Sequence, residues 1–229
     1  MTRKLGFLVA AILTVCAAWA QNPAPAPPLQ QGISVDLAKT EHGVPAREAD
    51  NPDAWVVTIT REGRLYFRAN QTTPEELLEW MKAHPRNRDA KFYIKADSLT
   101  PFANVQKILD QARVLMFDTV VLLTSQPGAA YSNGAVSPMG LEVQVGAADD
   151  PDAVSVQIIK TTRANPIMRI NNQQVPASAF PNALSIVLQT QKDKKVIVHA
   201  DGQLPFTQIA HFMDTCRAAG ATLAMTASK

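Results

Sequence analysis

Pro52-Asp53-Ala54-Trp55-Val56-Val57-Thr58-Ile59 and, 99 residues on, Pro151-Asp152-Ala153-Val154-Ser155-Val156-Gln157-Ile158 decide the fold, because they open two matched series. Leu65-Tyr66-Phe67 up to Asn70-Gln71 and Pro74 is followed 102 residues later by Ile167-Met168-Arg169 up to Asn172-Gln173 and Pro176. At an offset of 104, Lys91-Phe92-Tyr93-Ile94-Lys95-Ala96-Asp97 faces Lys195-Val196-Ile197-Val198-His199-Ala200-Asp201, then Pro101-Phe102 faces Pro205-Phe206. Asp110 and Arg113 on one side meet Asp214 and Arg217 on the other, and Gly32-Ile33-Ser34-Val35 weakly matches Gly140-Leu141-Glu142-Val143 ahead of each copy. Any one pair could arise by chance; all of them in one order mark a duplication.

One unit reads as strand, strand, helix, strand, helix, strand. Residues 54–60 are rich in Val, Ile and Thr and bounded by Asn-Pro-Asp, which marks a strand, and Glu62-Gly63 turns the chain into a second one at 64–69. Thr73-Pro74-Glu75-Glu76 carries a capping box with proline at the first helical position, and Leu77, Leu78, Trp80 and Met81 supply the apolar stripe behind it. A third strand follows at 91–96, a second helix starts at Thr100-Pro101, and 119–124 is apolar in its middle, as a strand buried between neighbours is. The second copy repeats this with strands near 154–160, 166–171, 195–200 and 221–226 and helices near 177–190 and 206–218. The expected fold is therefore α+β: two tandem ββαβαβ domains, 32–125 and 140–229, each a four-stranded mixed sheet packed against two helices. Residues 126–139 join them, being rich in turn formers.

The N-terminus reads separately. Arg3 and Lys4 precede an uncharged apolar run from Leu5 to Ala18, and Ala18-Trp19-Ala20 is a small-x-small cleavage signal before Gln21. Residues 1–20 are thus expected to be a secretory signal peptide cut between Ala20 and Gln21, followed by a Pro/Ala-rich tether at 21–31. The expected location is periplasmic or exported; the alternative is a single retained inner-membrane anchor. The 16 residues from Leu5 to Ala20 fall short of a full span, which takes roughly 20. The 22 basic residues, less Arg3 and Lys4, match the 20 acidic ones, which excludes a phosphate-binding surface and hence nucleic acid. Cys216 is left as a lone cysteine on a helix, read as a small buried hydrophobe.

The strand ending in Ala96-Asp97, the short loop, Pro101-Phe102, a helix and the final strand Val120-Val121-Leu122-Leu123-Thr124 resemble the periplasmic domain of the ExbD/TolR family of biopolymer transport proteins. Ala200-Asp201, Pro205-Phe206, Asp214 and Gly220 resemble it again, and Gly220 stands where that family usually has glycine; Met116 departs from it in the first copy. The resemblance implies a cell-envelope, non-enzymatic binding or adaptor protein whose partner is an envelope protein segment or peptidoglycan. It also implies the alternative of a membrane-anchored subunit beside an ExbB/TolQ-type complex. The family's membrane helix carries an aspartate, whereas Leu5 to Ala20 holds no acidic residue, so proton coupling is not carried over. The two copies are expected to be able to pack as an internal pseudo-dimer.

The residues singled out are Asp97, Pro101, Phe102, Asp201, Pro205 and Phe206, as structural or partner-binding positions. Asp97 and Asp201 follow a strand and precede a helix, where aspartate fixes turns through its own side chain. His42, His84, His199 and His211 show no metal-ligand spacing, and there is no nucleophile elbow or phosphate loop. No catalytic residue, cofactor or metal is expected.

Overall fold

The structure is a computed structural model and describes residues 32–84, 90–126, 138–146, 150–162 and 165–226. The expected leader and tether, Ala20 and Gln21, and most of the joining segment lie outside those residues.

The first copy runs β1 (Val44–Pro45), a 3-10 turn (Arg47–Asp50), β2 (Trp55–Ile59), β3 (Leu65–Phe67), β4 (Asn70–Thr72), α1 (Pro74–Ala83), β5 (Phe92–Ala96), α2 (Phe102–Val114) and β6 (Thr119–Thr124). The second runs β7 (Met139–Gln144), β8 (Val154–Ile159), β9 (Ile167–Ile170), β10 (Gln173–Val175), α3 (Phe180–Gln189), β11 (Lys195–Ala200), α4 (Phe206–Ala218) and β12 (Thr222–Ala224). The tandem α+β architecture is the one the sequence implies. Each copy also carries one short strand that the pattern does not show, β4 and β10, which fold back as hairpins. Asn171 and Asn172, both at positive φ, make the second of these turns, as a two-residue type I′ connection requires.

The two sheets are fused. Strand order is β10-β9-β8-β11-β12-β7-β6-β5-β2-β3-β4, with β1 alongside β7. Within each copy the central strands are parallel and the outer hairpin antiparallel. The seam is β7, antiparallel to β6 and parallel to β12. Gly140 makes that seam possible, since a Cβ there would lie 2.3 Å from Val121 Cγ1.

All four helices lie on one face over a core shared by both copies, in which Phe102, Ile108, Phe117, Phe180, Phe206 and Phe212 are fully buried. A second, smaller core lies on the opposite face in the first copy. There Ala46 and Ala49 pack on Val56, Tyr93, Val121 and Leu123. Local signals are met where they were strong: Thr73 Oγ1 accepts from Glu76 N at 3.2 Å while Glu76 Oε2 accepts from Thr73 N at 3.0 Å. In the second copy α3 starts three residues later than the expected 177, because Pro181 fits the first turn of a helix and not its interior.

Candidate interaction sites

The six singled-out residues converge on one place. Asp97 Oδ1 accepts from Leu99 N at 3.0 Å and Asp201 Oδ1 from Gln203 N at 2.9 Å, the same Asx turn in both copies. Each turn leads into Pro101 or Pro205, and the two prolines pair with each other. Neither α2 nor α4 has a side-chain cap, so the first N–H groups of each helix need acceptors from elsewhere. They come from the other copy. Phe102 N donates to Leu204 O and Phe206 N to Thr100 O, both at 2.8 Å; Ala103 N donates to Gly202 O at 2.9 Å and Thr207 N to Ser98 O at 2.8 Å. These four bonds exchange when the copies are exchanged. Phe102 and Phe206 anchor the clasp in the core with no exposed surface.

Asp110, Arg113, Asp214 and Arg217 extend the exchange. Arg113 donates through Nε to Val145 O at 2.7 Å and through Nη2 to Met225 O at 3.0 Å, both in the second copy. Arg217 Nε donates to His42 O at 3.3 Å, in the segment ahead of the first copy. The aspartates differ. Asp110 pairs with Arg113 on its own helix, whereas the buried Asp214 carboxylate accepts from Glu41 N and His42 N, with His42 Nδ1 at 3.3 Å. The leading segment of one copy is thereby strapped to a helix of the other. Spacing gave no sign of this, because an N–H acceptor that lies over 170 residues away leaves no local pattern.

The outer edges are the second candidate. In each two-residue hairpin the middle pair is the one without mutual backbone bonds, so Gln174 and Gln71 turn their backbone N–H and C=O outward from the sheet. The grooves beside them are at matching positions. The one at β10 has a volume of about 710 Å³ between Ile167, Met168, Val175 and Pro176. Its counterpart at β4 has about 170 Å³ and is lined in part by Asn104 and Lys107. Arg169, across from Gln174, has a buried Nε without a partner.

The other residues considered stay apart. His84 stacks on Trp80 with ring centroids 3.9 Å apart, while His199 and His211 are exposed on different elements. Among the described residues no group of His, Cys, Asp and Glu could hold a metal ion, and no helix is long and apolar enough to cross a membrane. Burial pushes the Cys216 thiol up to about 12.

Known proteins resemble the chain in both halves. A family model described as "Biopolymer transport protein ExbD/TolR" matches residues 7–127 and again residues 133–228. A protein named "Biopolymer transport protein ExbD" from Aquifex aeolicus (strain VF5) is 30% identical over 94 residues, which cover 41% of this chain and 67% of that protein. No solved structure matches.

Proposed function

This chain belongs to the ExbD/TolR family of biopolymer transport proteins, and from that membership we propose that it is a non-enzymatic binding subunit of the cell envelope. Its repeats, 32–125 and 140–229, form an internal pseudo-dimer that receives an extended segment of an envelope protein as an added strand. The observation that carries this reading is the β10 edge: outward backbone groups at Gln174 beside an open groove with apolar walls. Strand addition draws affinity from such backbone groups and specificity from such pockets. The β4 edge has the same backbone and little groove, so one chain offers one site rather than two.

A photo-cross-linking side chain at Gln173, introduced in cells that make the protein, tests this. An adduct with an envelope protein is expected, and Gln174→Pro should abolish it, because proline removes only the outward N–H. The same substitution at Gln71 should leave it intact. No adduct, or one indifferent to Gln174→Pro, overturns the reading.

A second reading is favoured by the extent of the family match, which begins at residue 7 inside the apolar run. In it residues 5–20 are kept as an inner-membrane anchor beside an ExbB/TolQ-type partner. N-terminal sequencing separates the two, since a chain that begins at Gln21 rules out the anchor. Peptidoglycan is the other partner the family resemblance implies, and sedimentation with purified cell wall tests it.

A further inference from the structure

We propose that the cavity beneath the Val44–Glu48 segment binds a small zwitterion of the amino-acid type, carboxylate toward Arg47 and ammonium toward Glu48 and Glu142. The cavity lies on the sheet face that carries no helices, and is independent of the β10 edge. Its volume is about 250 Å³, with Val44, Pro45 and Val121 as the apolar part of its wall. At about 30 Å³ per liquid water this holds around eight waters, or one amino acid or short peptide end.

The charged groups around it are incompletely used. Lys91 Nζ lies 2.9 Å from Glu142 Oε1 and 3.9 Å from Glu48 Oε2, and Tyr93 OH donates to Glu48 Oε2 at 3.1 Å. Among the described residues nothing donates to Glu48 Oε1 or Glu142 Oε2, and the Arg47 guanidinium has no partner. Among the described residues, one cation and two acceptor oxygens without partners therefore border one hollow whose four charges cancel. A dipolar ligand matches that set; a lone anion or cation leaves one half unanswered. Burial, with the charge of Glu48 next, holds the Tyr93 phenol well above its ordinary pKa, so it stays a donor. Hydrogen bonding to Glu142 likewise keeps Lys91 charged.

The cavity is roofed by a first-copy segment, Val44 to Glu48. Its roof belongs to a stretch in which the offset between copies falls from 108 at Gly32/Gly140 to 99 at Pro52/Pro151, so the first copy is nine residues longer there. In the second copy the matching face carries the exposed His199 and Thr222 beside the buried Ile197 and Ala224. A cover that served only to seal apolar surface would need Ala46 and Ala49, not a charged hollow beside them.

The test is amide chemical-shift titration of the full exported chain with glycine and with D-alanyl-D-alanine, against sodium acetate and ethylamine at equal concentration. Saturable shifts at residues 46–48 and 91–93 are expected with the zwitterions and not with the single charges. Arg47→Ala, a change at an exposed side chain, should weaken them at least tenfold, and Glu142→Gln at least fivefold. Equal response to glycine and the dipeptide assigns the site to free amino acids, and a tighter dipeptide assigns it to peptide ends. No shift with either zwitterion, equal shifts with acetate, or indifference to Arg47→Ala overturns the proposal.

Discussion

The two copies share a fold and differ in how fully the matching strands β2 and β8 are buried on the face away from the helices. In β2 the residues Val56, Val57, Thr58 and Ile59 are all buried, whereas β8 alternates, with Val154, Val156 and Ile158 buried and Ser155, Gln157 and Ile159 half-exposed. The helix-bearing face is the same in both. The opposite face is roofed in the first copy by Ala46 and Ala49; in the second, His199 and Thr222 are exposed there while Ile197 and Ala224 are buried. A single seam strand explains part of this asymmetry. Both copies have a segment ahead of β2 or β8 fitted to lie beside the last strand, but β7 fills the space between β6 and β12. The matching segment of the first copy is displaced. It crosses the end of β6 through bonds between Ser125 and Ala38 and Thr40, then returns as β1 against β7. Duplication inside one chain therefore yields two copies that cannot be equivalent.

The largest expected effect tests what the copies share. Phe102→Ala and Phe206→Ala each empty a fully buried site and should each cost about 3–5 kcal/mol. Because the clasp and seam join the copies, either substitution should lower one common transition. Trp55 and Trp80 report the first copy by fluorescence, and the buried Cys216 reports the second by thiol labelling. Midpoints that separate in either variant would break the claim of one folding unit.

Next comes the difference itself. Val56→Ser gives the first copy the residue of the second at a fully buried position and should cost about 2–3 kcal/mol. Ser155→Val, the reverse exchange, should stay within about 0.5 kcal/mol. Similar costs in denaturant melts would show that the second face is covered too.

That difference is legible in the strands themselves. The run of 55–59, apolar but for Thr58, against the alternation of 154–159 marks fuller burial of the first strand, yet both read simply as strands. The repeat itself, the capping box at Thr73 and the Asx turns at Asp97 and Asp201 could be read because each rests on neighbours in sequence. The clasp could not. Its acceptors are backbone carbonyls of Thr100, Ser98, Leu204 and Gly202, which no side chain announces; Leu204-Pro205 starts a helix with no capping residue, but Thr100 ahead of Pro101 reads as an ordinary cap. The seam is hidden for a related reason, since Gly140 reads only as a weak match to Gly32 until Val121 is placed against it. The β10 groove stands out only against its smaller counterpart in the other copy, a comparison of volumes rather than letters.

Lys95 and His199 occupy matching positions on the contrasting faces. Lys95 is buried under the roof, and burial holds its ammonium below the ordinary lysine pKa, with Asp50 opposing; His199 is exposed. With the folded value lowered, the unfolded chain binds more protons between that value and 10.5, so stability gains with pH across that window. The cost of the buried charge is full below it. Lys95→Met should thus stabilise at pH 7 by about 1 kcal/mol, an advantage that shrinks as pH rises toward 10. His199→Met should do little at either pH. Thermal melts of both variants from pH 7 to 9.5 check the sign, and an advantage that grows with pH would contradict the burial of Lys95.

The smallest effect separates strain from design at the helix ends. α2 and α4 close with the same paired bonds: Met116 N to Arg113 O and Phe117 N to Ala112 O in one copy, Gly220 N to Arg217 O and Ala221 N to Cys216 O in the other. This motif puts its central residue in the left-handed region, and Met116 sits at φ 58° where Gly220 sits at 83°. Met116 is 80% exposed, so its side chain returns little packing for that backbone. Met116→Gly should therefore stabilise by roughly 0.5–1 kcal/mol, and Gly220→Ala should destabilise by about 1 kcal/mol. If Met116→Gly is instead destabilising, the exposed methionine contributes to something the isolated chain does not show. The departure from the family's glycine would then mark a surface of the first copy that is used, with Val114 beside it as the other large exposed apolar residue at that helix end.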